Sequence, residues 1–371
     1  MTFSAFDTAC MSRALQLARQ GWYTTQPNPR VGCVIARDGR VVGEGFHRRA
    51  GEPHAEINAL AAAGEGARGG VVYVTLEPCN HRGRTGPCSQ ALIAAGVAEV
   101  VYAMADPHRV ASGGIGALEQ AGIRVRGPLL EAQAAALNPG FVKRCHLGLP
   151  RVTVKLAMSL DGRTAMASGE SQWITGAAAR RDVQLLRAAS SAIITGSGTV
   201  LADNPALTVR AAELPLANAA AVAARQPLRV IVDSGLRTPV DARLVTEGGE
   251  VLIATAVAAD NLRSDYPPRV SQLSLAGDGG KVDLRGLLAE LARRECNEVL
   301  VEAGPQLAGA MLAAGLVDLL VVYMAAKLMG SKGRPLLELP LDTMAQSLPL
   351  RIDDIRALGG DWRISAIPEN S

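Results

Sequence analysis

Three short segments of this chain carry residues whose chemistry is coherent only if the fold brings them together: His54-Ala55-Glu56, Pro78-Cys79 and Cys88. One imidazole and two thiols, with a carboxylate two residues from the imidazole, make the donor set of a catalytic zinc site with an acid–base partner. Three protein ligands leave the fourth tetrahedral position for water. Whatever this chain folds into must therefore present residue 54 and residues 79 and 88 at one point.

The setting for that point alternates strand and helix. A helix is predicted from Ser4 to Arg19, with Asp7 or Thr8 near its start. Strands over Val31–Ala36 and Arg40–Phe46 flank Asp38-Gly39, a strong hairpin signal. A helix over Ala55–Ala63, a strand over Val71–Leu76, a helix over Ser89–Ala95 and a strand over Val100–Met104 follow. A helix near Gly116–Ala121 and a short strand at Ile123–Val125 complete a three-layer α/β sandwich. The metal donors fall where two helices begin, just after loops or strands, in the positive field that helps hold a thiolate.

All five histidines lie in the first 146 residues, and all four phenylalanines precede residue 142. The composition shifts near Leu147-Gly148-Leu149-Pro150, which reads as a linker between a domain over residues 1–147 and another over 151–371. Imidazole and metal chemistry are thereby confined to the first half. In the second, strands are expected at Val152–Met158, Ala192–Thr195, Arg229–Val232, Val251–Thr255, Glu298–Glu302 and Leu319–Tyr323. Helices are expected at Ala177–Ala188, Asp283–Arg294 and Pro305–Ala314, with Ala211–Gln226 as a surface excursion.

A formal charge of +3, from 38 basic and 35 acidic residues, is too balanced for a nucleic-acid or membrane surface. No basic leader precedes an apolar stretch, so no signal peptide is expected and the six cysteines should not form a disulfide framework. The cytoplasm is the expected compartment. Leu307–Ala326 is largely apolar, but Asp318 and Gly315 interrupt it, and a helix followed by a strand explains it better than a membrane span.

Two thiolates and an imidazole suit zinc, which brings bound water to a pKa near 7, and Glu56 is placed to move its proton. Zinc deaminases of bases usually pair their cysteines as Cys-x-x-Cys. Here the insert Asn80-His81-Arg82-Gly83-Arg84-Thr85-Gly86-Pro87 separates Cys79 from Cys88. Other readings stand beside this one: a structural site with His81 as fourth ligand, or core cysteines without metal. Cys10, Cys33, Cys145 and Cys296 read as small buried hydrophobes.

HAEINAL, TLEPCNHRGRTGPC and PNPRVGCVI resemble the deaminase domain of the bifunctional riboflavin-biosynthesis deaminase–reductases. Beyond the linker, KLAMSLDGRTA, SGESQWIT, GSGTVLADNPALTVR, VDSGLRTP and VEAGPQLAGAML are similar to the reductase domain of the same family. The resemblance implies a cytidine deaminase-like first domain and a dihydrofolate reductase-like second one. It implies two reactions on phosphorylated pyrimidines, a zinc-dependent deamination and an NADPH-dependent reduction of a ribosyl chain, in a homo-oligomer.

By motif, His54, Cys79 and Cys88 would hold zinc and Glu56 would shuttle the proton. Asn28 would line the pyrimidine pocket, and His81, Arg82, Arg84 and Thr85 would hold the substrate phosphate, as two guanidiniums in a Gly-interrupted loop suit; a solvated basic loop is the other reading. Cofactor contacts would fall at Ala157, Trp173, Thr199, Asp203, Ser234 and Gly304. Substrate contacts would fall at Lys155, Ser171, Arg187, Leu207, Arg210 and Glu302. Trp173 as a core aromatic and Arg187 as a surface charge are the bland readings of those two. No G-x-G-x-x-G fingerprint occurs; Gly196-Ser197-Gly198 is a weak phosphate loop, and Gly304-Pro305 opens a helix whose start suits a cofactor phosphate. A nucleic-acid-editing zinc deaminase with an accessory domain is the competing function, and it lacks the basic surface it would need.

Overall fold

The computed structural model describes residues 2–81, 86–108 and 110–369. The chain divides into two units, Met1–Gly148 and Leu149–Ser371.

In the first unit the elements run α1 (Ala5–Arg19), β1 (Gly32–Arg37), β2 (Arg40–Phe46), α2 (Ala55–Ala63), β3 (Val71–Val74), α3 (Cys88–Ala95), β4 (Glu99–Tyr102), α4 (Gly114–Gln120), β5 (Arg124–Arg126), α5 (Glu131–Leu137) and α6 (Pro139–Leu147). The sheet order is β2-β1-β3-β4-β5. Ser4 starts α1 through a reciprocal capping box with Asp7. Asp38 and Gly39 both take positive φ, as a tight hairpin turn requires. Helices α1 and α5 cover one face of the sheet, and α2, α3 and α4 cover the other. The layers were legible in sequence, but α5 and α6 were not: both are short, and α5 follows Leu130, a non-glycine residue in the left-handed region rather than a capping side chain. Cys145 is only partly buried in α6, unlike Cys10, Cys33 and Cys296.

Two close approaches aim the site. On β2, a Cβ at Gly43 or Gly45 would collide with the backbone of α2 at Ala59, so only glycine lets that helix lie so near the sheet. A Cβ at Gly114 would likewise strike the carbonyl oxygen of Pro78, which seats the start of α4 against the Pro78-Cys79 turn.

The second unit contains β6 (Arg151–Ser159), β7 (Arg163–Ala165), α7 (Ala177–Ala189), β8 (Ala192–Gly196), α8 (Ser197–Asp203), α9 (Ala219–Ala223), β9 (Leu228–Val232), α10 (Arg243–Thr246), β10 (Val251–Thr255), β11 (Val270–Ser274), α11 (Leu284–Arg293), β12 (Glu298–Val301), α12 (Pro305–Ala313), β13 (Leu319–Ala325), β14 (Arg334–Pro335), β15 (Leu350–Leu358) and β16 (Asp361–Pro368). Its large sheet has the order β11-β10-β9-β8-β12-β6-β13-β16-β15. Strands β11 through β13 in that order are mutually parallel; β16 alone runs against them, pairing antiparallel with β13 on one side and β15 on the other. The parallel strands therefore share one C-terminal edge, where open α/β sheets bind ligands.

The apolar run Leu307–Ala326 is divided between α12 and β13, and no helix among the described residues is long and apolar enough to cross a membrane. The Ala-rich excursion contains the short α9, pinned by Gln226, whose side chain exchanges two hydrogen bonds with the backbone of Val209.

Candidate metal centre and reductase cleft

His54 is the N-cap of α2, Cys79 follows β3, and Cys88 is the first residue of α3. Nδ1 of His54 lies 3.6 Å from Sγ of Cys79 and 3.3 Å from Sγ of Cys88, and the three donor atoms are all within 4.8 Å of one another. Zinc–sulfur and zinc–nitrogen bonds of about 2.3 and 2.0 Å at a tetrahedral angle put such donors ~3.6 Å apart. The donor set fits zinc in type and spacing. His81, the alternative fourth ligand, is not in this cluster.

Burial and hydrogen bonding tune the site. The Cys79 thiol is pulled down by the hydrogen bond from Cys88 and by His54, and Cys88 is pushed up by that same bond and by burial. One thiolate forms readily, and a dication would take both. Glu56 is 3% exposed, and burial raises its carboxyl to about 7.

Asn28 Nδ2 sits 3.1 Å from His47 Nε2, and His47 Nδ1 sits 3.2 Å from the Pro53 carbonyl oxygen. Because a carbonyl can only accept, Nδ1 carries the proton and Nε2 accepts from Asn28. Burial lowers the pKa of His47, which favours this neutral form. Its ring packs edge-on against that of His54 at 5.2 Å. Sequence reasoning had no role for His47, nor for Glu77, whose buried carboxylate accepts from the backbone N–H groups of Asp106, Gly113 and Ile115. Glu77 thereby ties the 106–115 segment beside Cys79, where the Asn80 N–H bonds the Ala111 carbonyl. The Leu-Glu-Pro-Cys string was a signal for it, read only for its cysteine. Of the proposed phosphate loop, His81 is half-buried with Nδ1 unpartnered, and Arg82, Arg84 and Thr85 lie outside the described residues.

In the second unit, Arg187 near the end of α7 meets Glu302 just past β12 in a bidentate pair, Nε–Oε1 2.6 Å and Nη2–Oε2 3.0 Å, and also donates to the Thr208 carbonyl. The bland reading of Arg187 as a surface charge is wrong: its side chain is 13% exposed and that of Glu302 is 9%. Lys155 on β6 is half-buried nearby, its Nζ 5.9 Å from the Tyr323 ring. Burial pulls its ammonium below the usual range, with Glu302 opposing and Arg187 reinforcing. Burial alone would raise the Glu302 carboxyl, but Arg187 and then Lys155 hold it below the usual range. Ala157 stands two residues on from Lys155, on the same face of β6.

Other positions are more dispersed. Trp173 is 65% exposed, not a core aromatic; Arg180 stacks on it at 4.6 Å, and both line a cavity of about 440 Å³ with Lys327 and Asp361. Leu207 turns its side chain into the core at φ 50°, leaving its backbone for any ligand. Arg210 is exposed and paired with Glu213 at 2.9 Å. Asp203 is exposed at the end of α8, and Ser171 is half-buried. A Cβ on Gly304 would meet only Oγ1 of Thr199, at 3.9 Å, so the approach to α12 is open. The first N–H groups of α12 have no side-chain cap, which suits a diphosphate. The Ser234 carbonyl accepts from the Ala256 N–H and the Thr255 hydroxyl, which fixes the turn after β9.

A zinc donor set on a three-layer sandwich, followed by a parallel sheet with an open C-terminal edge, defines a two-domain enzyme that joins a deaminase to a reductase. Residues 4–104 match the cytidine and deoxycytidylate deaminase zinc-binding region, and residues 150–364 match the RibD C-terminal domain. The riboflavin biosynthesis protein RibD of Escherichia coli K12 is 53% identical over 361 residues, 96% of this chain and 97% of that one. That of Haemophilus influenzae is 46% identical across 100% of this chain and 99% of its own. A solved Acinetobacter baumannii RibD superposes with a TM-score of 0.89 at 43% identity, covering 98% of this chain and 99% of that one. The Thermotoga maritima diaminohydroxyphosphoribosylaminopyrimidine deaminase/5-amino-6-(5-phosphoribosylamino)uracil reductase gives 0.84 at 31% identity, again covering 98% and 99%. The chain belongs to the RibD family. It is a bifunctional enzyme of riboflavin biosynthesis, a deaminase and a reductase that uses zinc and NADPH.

Proposed function

We propose that residues 1–147 deaminate 2,5-diamino-6-(5-phosphoribosylamino)pyrimidin-4-one and that residues 151–371 reduce the ribosyl chain of the resulting 5-amino-6-(5-phosphoribosylamino)uracil to ribityl. The observation that carries this is the meeting of His54, Cys79 and Cys88 beside the buried Glu56. In this reading the three donors hold zinc, which when bound acidifies water. Glu56 carries the water's first proton to the ring nitrogen and its second, freed as the carbonyl forms, to the departing amine, which leaves as ammonia. Asn28, held by neutral His47, presents its amide to the pyrimidine edge, and His81 with Arg82, Arg84 and Thr85 meets the phosphate.

In the second domain NADPH supplies a hydride. Ala157, Trp173, Thr199, Asp203, Ser234 and Gly304 position it, and Ser171, Leu207 and Arg210 hold the substrate. Lys155 and Glu302 face the reacting carbon and nitrogen, and Arg187 fixes Glu302. Supplying the diaminopyrimidinone phosphate with and without NADPH tests the whole reading. The deaminated ribosyl compound should accumulate without NADPH and the ribityl compound with it. Ribityl product bearing the original amine would overturn the order of steps.

The partners are small phosphorylated pyrimidines, not nucleic acid, and the six free cysteines agree with a cytoplasmic setting. We also infer a homo-oligomer. Leu350, Ile352, Ile355 and Ala357 of β15 pair with Pro368, Ala366, Ile364 and Trp362 of β16, so all eight share one face, and the bulge between Ile352 and Asp354 keeps that face in register. Ile352 and Ile355 are 51% and 55% exposed there, on a strand whose outer edge is unpaired. Light scattering should show a multimer for the native chain and a smaller species for the Ile352→Lys/Ile355→Lys variant. A native monomer at micromolar concentration would refute this.

A further inference from the structure

Resting on the reading of the second domain as the NADPH site, we propose that Arg237 is the seat of the cofactor's 2′-phosphate and the residue that selects NADPH over NADH. Strands β8 and β9 are parallel neighbours, with Gly196 opposite Val232, so the segments that begin at Ser197 and Asp233 leave the sheet side by side. Arg237 reaches across between them: its Nη2 donates to Oγ of Ser197 at 3.0 Å. The side chain is 65% exposed. Its guanidinium therefore keeps donors open to solvent at the ligand-binding edge.

The surrounding charges leave this cation available. Asp233 is fully buried; its Oδ2 accepts from the backbone N–H and hydroxyl of Thr238, which locks the turn that carries Arg237. The nearest approach of Asp233 to Arg237 is 3.9 Å, beyond hydrogen-bond reach. The other cations on these loops are taken up: Arg263 is bidentate to Asp265, and Arg243 is bidentate to Glu247. The positions assigned above to the cofactor, Ala157, Trp173, Thr199, Asp203, Ser234 and Gly304, include no cation. Yet a 2′-phosphate in a partly exposed cleft calls for a planar, always-charged partner.

Strand order decides which part of the cofactor Arg237 meets. Along the edge the order is β9, β8, β12, β6. The diphosphate belongs at the uncapped start of α12, after β12, and the reacting centre belongs beside Lys155 on β6. The adenosine ribose must then extend the other way, past Thr199 at the end of β8 to the turn after β9. At about 4.8 Å per strand that turn is ~10 Å from the end of β12. Arg237 stands on the adenosine side, clear of the hydride.

The test uses the full chain and two fragments of the cofactor, 2′,5′-ADP and 5′-ADP, titrated by calorimetry without substrate. The native protein should bind 2′,5′-ADP roughly ten- to a hundredfold more tightly, the range of charge-assisted hydrogen bonds. Arg237→Gln should erase that preference and leave 5′-ADP affinity unchanged, and Arg237→Lys should retain part of it. In turnover, KM for NADPH should rise while KM for NADH and both kcat values hold. Unchanged deaminase activity reports a folded chain. A preference that survives in Arg237→Gln overturns the inference, and an equal loss for both fragments overturns it too, by moving Arg237 to the diphosphate. A native chain that binds neither NADPH nor 2′,5′-ADP would instead defeat the cofactor reading on which the inference rests.

Discussion

Glu56→Gln should lose deamination by about 10²- to 10⁴-fold, the contribution of a positioned proton carrier, while zinc content and reduction of the supplied deaminated intermediate stay at native levels. The expectation follows from where the carboxyl sits. It is the second residue of α2, two residues after the donor His54, and Gly43 and Gly45 let that helix lie against β2. Glutamine keeps the size and hydrogen-bonding reach of the side chain but cannot carry the proton, so the loss should fall on kcat more than KM. Metal analysis separates this from a lost site: Cys88→Ser should release zinc, and Glu56→Gln should not. A Glu56→Gln protein that is folded, zinc-loaded and still deaminates at the native rate would remove Glu56 from the chemistry.

What the sequence disclosed and what it hid differ for physical reasons. Convergence of His54, Cys79 and Cys88 was legible because few other uses unite these residue types at two helix starts and a strand end. Helix α2 and strand β10 were legible because apolar period and flanking turns agree with tertiary demand. The Arg187–Glu302 pair was not, since its partners lie 115 residues apart and nothing local marks either for burial. His47 and Glu77 were missed because each acts on its neighbours, one bonding Asn28 and the other three backbone N–H groups, and a supporting contact has no spacing of its own. The β15–β16 hairpin escaped because its bulge breaks the alternation that announces a strand, and the isoleucines of β15 lie outward.

The cluster at the heart of the second unit should be the place where a single substitution does most harm to stability. Glu302→Ala removes the carboxylate that bonds Arg187, and leaves that buried guanidinium and the half-buried Lys155 with only the more distant Glu213 for a counter-charge. Breaking a buried pair from one side costs about 3–5 kcal/mol, so urea unfolding of the second unit should shift by that order and reduction should vanish, while deaminase activity before the transition persists. Replacing both partners, as Arg187→Met with Glu302→Leu, should recover much of the stability because no charge is then stranded, yet none of the reduction. The pH dependence has a definite sign. The Glu302 carboxyl is held below its ordinary range in the folded state, so its stabilisation is complete above the unfolded carboxylate value of about 4.3 and drains away as pH falls through the lower folded value. Glu302→Gln should lack that acid limb. A double variant that regains stability and still reduces would show that the pair holds the fold alone. A Glu302→Ala protein as stable as the native one would show that these cations have counter-charge enough without it.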